Sequence, residues 1–393
     1  MRITGVNKSF DVTVDLVGSK SESNRALMIG YYGGFTPRIK NLSESDDTKL
    51  LTEILKGING INALKEINCH NAGTVLRFLA TALSFRPGDW ILTGSDRMLQ
   101  RPVGDLVDAL RTMGADIEYM GQEGFPPLKI HGKTHVETLP ETSPIHIDIT
   151  HSSQFASSIL LAKPSRLYLN GDMSSLPYID MTIDVMKYFG IDIHREGRDI
   201  SIKPSEYQDV EYTVESDWTC ASYWYEIVAF SDNGRARLRN LHLDSKQGDA
   251  IVAKWFEQFG VKSVQDGNDI IIEKNRSIFF NDLSFDFTNN PDLYPTIAAT
   301  CAGLGVEGHF TGLQNLKYKE SDRVAAMTME LSKSNNFDSH DDHRIAMSLA
   351  PLAMKIGAIE INNADVVSKS YPNFWEEFQK ITPNQLSKHP QCE

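Results

Sequence analysis

Gly18-Ser19-Lys20-Ser21-Glu22-Ser23-Asn24-Arg25, running into Ala26-Leu27-Met28-Ile29-Gly30-Tyr31, is the stretch from which the rest of this 393-residue chain is read. Ser and Asn are N-cap residues, so the apolar run reads as the first turns of a helix with a polar preface. A helix start offers backbone N–H groups and the positive end of the helix dipole, which suit a phosphate or a carboxylate. Lys20 and Arg25 add cations there, and Ser19, Ser21 and Ser23 add hydroxyls. The segment is a candidate anion site. The plainer alternative is a capped surface helix with solvated charges.

Similar helix starts recur along the chain. Asn71-Ala72-Gly73-Thr74 precedes Val75-Leu76-Arg77-Phe78-Leu79, and Ser152-Ser153-Gln154 precedes Phe155-Ala156. Ser216-Asp217 precedes Trp218, and Asp342-His343-Arg344 precedes Ile345-Ala346-Met347. Each is ordinary capping taken singly, but the recurrence points to helix N-termini meeting at one place. A loose repeat accompanies them. Amphipathic stretches ending at Gly114, Gly190 and Gly260 each lead into a short β-rich segment. The glycine stands where a helix C-cap belongs. A spacing of roughly 70–75 residues is longer than a solenoid repeat, so each unit is a small α/β subdomain.

Composition sets the frame around these segments. A chain of this length exceeds one ordinary core, so two domains are expected. Apolar content of 41% and charged content of 23% are those of a soluble globular protein. No apolar run reaches bilayer-spanning length, and Met1-Arg2-Ile3-Thr4-Gly5 lacks a signal-peptide core, so a cytoplasmic protein is expected. Cys69, Cys220, Cys301 and Cys392 form no C-x-x-C pair, which argues against a zinc site or a disulfide framework. A net charge of −13 makes the chain a poor partner for nucleic acid or an anionic membrane. Cations gathered in a few short segments of such a chain would focus field on a small anion.

Several constellations could carry chemistry. Gly73 lets backbone approach a ligand closely, just ahead of a helix start. Arg97-Met98-Leu99-Gln100-Arg101-Pro102 places two guanidiniums on a loop, with Pro102 at an N1 position of the next helix. Ser152, Ser153 and Gln154 can orient hydroxyl or phosphate groups without adding charge. Tyr178, after Pro177, could stack on a ring-shaped ligand or serve the core. Asp292 follows Asn289-Asn290-Pro291, and Asn315 leads to Lys317-Tyr318-Lys319-Glu320-Ser321-Asp322-Arg323. This last run offers a general acid–base and anion clamps, or a salt-bridged helix start with Glu320 and Arg323 paired at i, i+3. In His340-Asp341-Asp342-His343-Arg344, adjacent ligands seldom face one ion and Arg344 repels a cation, so no metal is expected. Lys369 is one more cation ahead of a Pro-defined turn.

Taken together and in order, these segments resemble the enolpyruvyl transferases, in the branch that acts on shikimate 3-phosphate. The matching pieces also include Pro177-Tyr178-Ile179-Asp180, Gln247-Gly248-Asp249 and Pro291-Asp292. The resemblance implies an α/β (α+β) fold of two similar domains, each of three βαβαββ units, in an inside-out α/β barrel arrangement. It implies a discontinuous domain I, residues 1–18 plus 217–393, a domain II, residues 19–216, and an active site in the cleft between them. The implied reaction moves the enolpyruvyl group of phosphoenolpyruvate to the 5-hydroxyl of shikimate 3-phosphate and releases phosphate, a step of aromatic amino-acid biosynthesis. No metal or organic cofactor is implied, and a monomer is expected. By this likeness, Lys20, Ser21, Arg25, Ser152, Ser153, Gln154, Ser175, Tyr178, Asp292, Asn315 and Lys319 hold shikimate 3-phosphate. Lys20, Asn71, Gly73, Arg101, Gln154, Arg323, Arg344 and Lys369 hold phosphoenolpyruvate. Asp292 and Glu320 transfer protons, with Lys20 and His343 assisting.

The chain is shorter than the family pattern at 332–340 and at 47–71, and His340 stands where the family commonly has a tyrosine. Two alternatives share the fold. A UDP-amino-sugar enolpyruvyl transferase typically carries a reactive Cys in a mobile loop, and the loop at 97–101 has none. A catalytically impaired relative would bind a small anion without turnover.

Overall fold

The computed structural model describes residues 1–58, 65–133, 144–275, 281–382 and 386–387. Cys392 lies outside them. The chain divides into two units: unit 1 comprises Met1–Ser19, Ser43–Asp46 and Glu215–Glu393, and unit 2 comprises Lys20–Leu42 and Asp47–Val214. No helix among the described residues is long and apolar enough to cross a membrane.

One pattern, strand–helix–strand–helix–hairpin, builds most of both units. In unit 2, strands Lys65–Asn68 and Gly88–Thr93 run parallel around helix Gly73–Ser84. Helix Gly104–Thr112 follows, and then the antiparallel pair Asp116–Tyr119 and Leu128–Gly132. The second copy runs from Ile145–Asp148 through helix Ser153–Leu161, strand Arg166–Asn170 and helix Leu176–Tyr188 to the pair Ile193–Glu196 and Asp199–Ile202. Both sheets have the same strand order, with the second parallel strand pairing the last strand of the hairpin. In unit 1, strand Ser9–Val14 supplies the first strand and Asn233–Leu238 the second, with the hairpin Val261–Asp266 and Asp269–Lys274. In its other four-stranded sheet the two antiparallel positions are taken by Arg2–Ile3 and Leu386–Ser387.

The glycines of the repeat do what the sequence asks of them. Gly114, Gly190 and Gly260 have φ of 87°, 91° and 76°. After Gly104–Thr112 the Ala115 N–H reaches Leu110 O at 3.0 Å and the Gly114 N–H reaches Arg111 O at 3.0 Å. Ile191 and Gly190 repeat this on Met186 and Lys187 at 3.1 and 3.0 Å. This pair of bonds satisfies the last carbonyls and reverses the chain into the hairpin.

The third sheet of each unit has two strands, and here the pattern stops short. Strand Ile39–Lys40 pairs with Tyr212–Thr213 in unit 2, and Asp282–Asp286 pairs with Glu307–Thr311 in unit 1. In unit 1 helix Arg323–Leu331 leads through residues 332–335 directly to strand Asn336–Asp338, so no hairpin intervenes. In unit 2 only residues 59–64 separate helix Asp46–Ile58 from strand Lys65–Asn68. The two short stretches of the sequence are the same position of the pattern, once in each unit.

Apolar burial explains why helices occupy the interior. Every residue of helix Gly73–Ser84, of helix Trp218–Phe230 and of helix His343–Leu349 is buried. A helix apolar on all sides needs neighbours on all sides. In unit 2, Lys20–Gly33, Gly73–Ser84 and Ser153–Leu161 pack on one another. In unit 1, Tyr294–Leu304 packs on both Trp218–Phe230 and His343–Leu349. Small hydroxyl residues join these helices by pairing with one another. Thr81 Oγ1 lies 2.5 Å from Ser158 Oγ. Ser222, Thr296 and Ser348 form a chain at 3.1 and 3.3 Å. Helices Lys20–Gly33, Gly73–Ser84, Ser153–Leu161 and His343–Leu349 each begin at a candidate site residue, and Asp292 lies two residues ahead of Tyr294–Leu304.

Two helix starts differ from the sequence reading. The first helix begins at Lys20, not at the Ser23-Asn24 pair. The Ser19 N–H bonds Glu215 O at 2.8 Å and Gly18 bridges to Ser216, so a distant segment sets the chain direction, while Asn24 instead accepts from Thr48 at 2.9 Å. Pro102 is not at N1: the next helix starts at Gly104 with Val103 as its cap.

Candidate active site

In unit 2 the first helix presents Lys20 at its opening residue, and Lys20 Nζ lies 3.0 Å from Asp47 Oδ2. One turn on, Arg25 is buried and lies 5.7 Å from the Phe78 ring centre. It donates to Thr182 Oγ1 at 2.7 Å, Ser157 Oγ at 3.1 Å, Tyr178 O at 2.9 Å and Ser21 O at 2.9 Å. A guanidinium has five N–H groups, so these bonds leave one for a ligand. Burial pushes the Arg25 pKa down to about 10, which keeps it charged at neutral pH.

The second helix begins at Gly73, directly against Arg101. A Cβ there would meet the Arg101 guanidinium at 2.8–2.9 Å. Arg101 is buried and its Nη1 donates to Asn71 O at 3.3 Å, so Asn71, Gly73 and Arg101 form one cationic pocket wall. The third helix begins at Ser153 with Ser152 as its cap, whose Oγ accepts the Gln154 N–H at 3.2 Å. Gln154 is held from two sides: Arg77 Nη1 donates to its Oε1 at 2.6 Å, and its Nε2 donates to Thr74 Oγ1 at 3.0 Å. Ser175 caps helix Leu176–Tyr188 with φ of 56°, and Tyr178 lies half-buried in its first turn.

Unit 1 carries a tighter cluster. Asp292, just ahead of helix Tyr294–Leu304, meets three cations: Arg323 Nη1 at 2.7 Å, Arg344 Nη2 at 2.8 Å and Lys319 Nζ at 3.3 Å. Arg323 also holds Glu320 at 2.8 Å and Asp342 at 2.8 Å. Asp342 caps helix His343–Leu349, its Oδ1 accepting the Arg344 N–H at 3.0 Å. The salt-bridged helix start anticipated for Glu320 and Arg323 is present, but as part of a network in which three carboxylates balance three cations.

Electrostatics differ sharply among these groups. Burial opposes ionisation of Asp292, but Arg344, Lys319 and Arg323 outweigh it and hold its pKa well below the carboxylate range. Burial lowers the Lys319 pKa, partly offset by Asp292. Burial also lowers that of Arg323, yet Asp342, Glu320 and Asp292 raise it overall. Behind Asp292, Asp249 accepts from Thr219 at 2.5 Å and from Asn290 at 3.1 Å. Burial and the nearby Asp292 charge push Asp249 up to about 6. His343 is buried with Nδ1 3.6 Å from Asp342 Oδ1, and Lys369, also buried, ends the short helix Ala364–Lys369. Asn315 caps the short helix Leu316–Tyr318.

Sequence reasoning missed the partners that fix these groups: Asp47 for Lys20, Arg77 for Gln154, Asp342 between two arginines, and Asp249 behind Asp292. Their signals were present as residue types, but their partners lie 27 to 77 residues away for the first two, beyond any local pattern.

Comparison with known proteins fits this arrangement. The family model for EPSP synthase (3-phosphoshikimate 1-carboxyvinyltransferase) matches residues 61–336 and 332–378. A 3-phosphoshikimate 1-carboxyvinyltransferase of Bacteroides fragilis is 38% identical over 398 residues, covering 94% of each chain. One from Sulfurovum sp. is 33% identical, covering 94% of this chain and 96% of that one. The solved structure of EPSP synthase from Acinetobacter baumannii superposes with a TM-score of 0.75 over 97% of this chain and 98% of that one, at 22% identity, and so shares the two-domain enolpyruvyl transferase fold. The chain belongs to the EPSP synthase family.

Proposed function

We infer that the chain transfers the enolpyruvyl group of phosphoenolpyruvate to the 5-hydroxyl of shikimate 3-phosphate, releasing inorganic phosphate. The observation that carries this reading is the unit 1 cluster, in which Asp292 and Glu320 share Arg323 while Lys319 and Arg344 close on Asp292. It offers carboxylates for proton movement and cations for anionic substrates in one place.

The bond changes assign the work. A C–O bond forms between the substrate hydroxyl and C2 of phosphoenolpyruvate, and the C2–O bond to phosphate breaks. The double bond survives in the product, so C3 gains a proton on addition and loses one on elimination. The hydroxyl proton leaves to a base. The step is redox-neutral and needs an acid and a base on opposite reacting partners. Asp292 takes the hydroxyl proton and Glu320 serves C3, with Lys20 and His343 assisting.

The substrates themselves set the base strength of Asp292. In the free chain its three cations make it a weak base. Incoming phosphate and carboxylate groups compete for Arg344, Arg323 and Lys319, and their negative charge raises the Asp292 pKa toward a useful value. The base is thereby strengthened only when substrate is present.

Shikimate 3-phosphate takes Ser152, Ser153, Gln154, Ser175, Tyr178, Ser21, Arg25 and Lys20 from unit 2, with Asn315, Lys319 and Asp292 from unit 1. Phosphoenolpyruvate takes Lys20, Asn71, Gly73, Arg101 and Gln154 from unit 2, with Arg323, Arg344 and Lys369 from unit 1. The protein acts as a cytoplasmic monomer, which light scattering of the purified chain tests. Phosphate release tests the activity: turnover with phosphoenolpyruvate plus shikimate 3-phosphate, and none with a UDP-amino sugar, is expected. Tight binding of both substrates without turnover would instead favour the impaired relative.

A further inference from the structure

Helix Arg323–Leu331 grips the segment that leads into Arg344 from both of its ends. At its start, Arg323 holds Asp342 at 2.8 Å. At its other end stands Glu330, whose side chain is 0% exposed. Its carboxylate accepts from His340 Nε2 at 2.6 Å, from the Asp338 N–H at 2.8 Å and from Lys333 Nζ at 2.8 Å to both oxygens. Burial alone would raise the Glu330 pKa, but the bonds from Lys333, Asp338 and His340 outweigh it and lower it. The group is an ionised, fully bonded buried carboxylate.

What Glu330 holds is strained. His340 and Asp341 have φ of 52° and 54°, two consecutive non-glycine residues in the left-handed region. Such backbone is unfavourable for residues that carry a Cβ, so the turn persists only where contacts over-determine it. Asn363 Nδ2 ties Asp341, and the Asp342 N–H reaches Ser339 O at 2.9 Å. The His340 ring on Glu330 is the tie that comes from the helix. The next residue, Asp342, caps helix His343–Leu349 and so fixes the backbone of Arg344, whose Nη2 lies 2.8 Å from Asp292. With no hairpin between the helix and strand Asn336–Asp338, this carboxylate and ring anchor the junction.

We propose that Glu330, acting through His340, is a positioning residue that sets Arg344 for phosphoenolpyruvate. The proposal rests on the functional reading above. Neither residue touches the cluster around Asp292; both act through the 340–342 turn. Of the unit 1 groups assigned to shikimate 3-phosphate, Asn315 and Lys319 precede helix Arg323–Leu331 in the chain, and Asp292, which meets Arg344, is held independently of that turn by Lys319 and Arg323.

Steady-state kinetics of the full chain separate this from a purely structural role. His340→Ala is expected to raise KM for phosphoenolpyruvate roughly tenfold, since small misplacement of a clamp is costly, while KM for shikimate 3-phosphate stays within about twofold. His340→Gln keeps an N–H donor for Glu330 and is expected to restore most of the loss. Glu330→Gln is expected to act in the same direction as His340→Ala; if it does not fold, the two His340 variants decide. A lower folded fraction would reduce apparent kcat and leave both KM values unchanged. That result, or an equal rise in both KM values, overturns the proposal. An active wild type with an unaltered His340→Ala overturns it alone. A wild type with no turnover overturns the functional reading, and this proposal with it.

Discussion

Under the proposed function, Lys20 and Glu320 are the residues on which the chemistry bears most directly. Lys20→Ala and Glu320→Ala are each expected to lower kcat by about 10²–10⁴-fold with the fold intact; near-normal turnover in either variant would remove that residue from the mechanism. Gly73 makes a different kind of statement. Its missing Cβ leaves room for the Arg101 guanidinium, so Gly73→Ala must shift that group by a few tenths of an ångström or more. We expect a rise of roughly tenfold in KM for phosphoenolpyruvate with little change in kcat. An unchanged KM would show that Arg101 does not face that substrate.

Glu226 lies outside the site but obeys the same physics. It is fully buried in helix Trp218–Phe230, and neither carboxylate oxygen has a hydrogen-bond partner among the described residues. Burial raises its pKa well above the ordinary value, so the folded chain holds it protonated. For an acid with a raised folded pKa, stability is fully present below the unfolded value and is lost as pH rises toward the folded one. Across that window wild type should lose up to about 1.4 kcal/mol per pH unit relative to Glu226→Gln. Urea titrations of both proteins from pH 5 to 8 check this; parallel curves would mean that Glu226 ionises freely in the fold.

At the scale of elements, the interior helices join fold to site. Their starts carry Lys20, Gly73, Ser153, Asp217 and Asp342, so the segments that fill the core also present polar groups and backbone N–H groups at their N-terminal ends. Asp342 serves both roles. It caps helix His343–Leu349 and holds the buried Arg323, so Asp342→Ala removes a cap and one of the three carboxylates that face that guanidinium. A loss of about 2–3 kcal/mol is expected from urea unfolding, and Asp342→Asn, which can still cap, should lose less. Equal losses would place the whole effect in the ion pair.

Elements were also where sequence and structure agreed best and worst. The glycines at 114, 190 and 260 were legible because the left-handed C-cap is a local demand. The start of the first helix was misplaced because a tertiary bond, Ser19 to Glu215, sets it in place of a local cap. The cations of Lys319-Glu320-Ser321-Asp322-Arg323 were legible as a charge run. Which carboxylate each would face was not, since Asp292 and Asp342 arrive from other elements.

At the scale of the whole molecule, the proposed function has a chain of net charge −13 recruit two anionic substrates through cations gathered at a few helix starts. Such focusing is screened by salt, with a Debye length of about 10 Å at 0.1 M. Both KM values are expected to rise between low and high ionic strength while kcat changes less. The two-domain fold was legible from length and from the glycine-ended repeat. The absence of a hairpin between helix Arg323–Leu331 and strand Asn336–Asp338 was legible only as short spacing, because spacing alone does not say which element is missing.

The most direct test of the central claim is turnover in D2O with both substrates, followed by mass spectrometry of the product and assay of phosphate. If groups of this site protonate C3 of phosphoenolpyruvate and later remove a proton from it, the enol ether product carries deuterium in its methylene group, and one phosphate appears per product. Phosphate released from phosphoenolpyruvate alone, or product formed without deuterium, would contradict it.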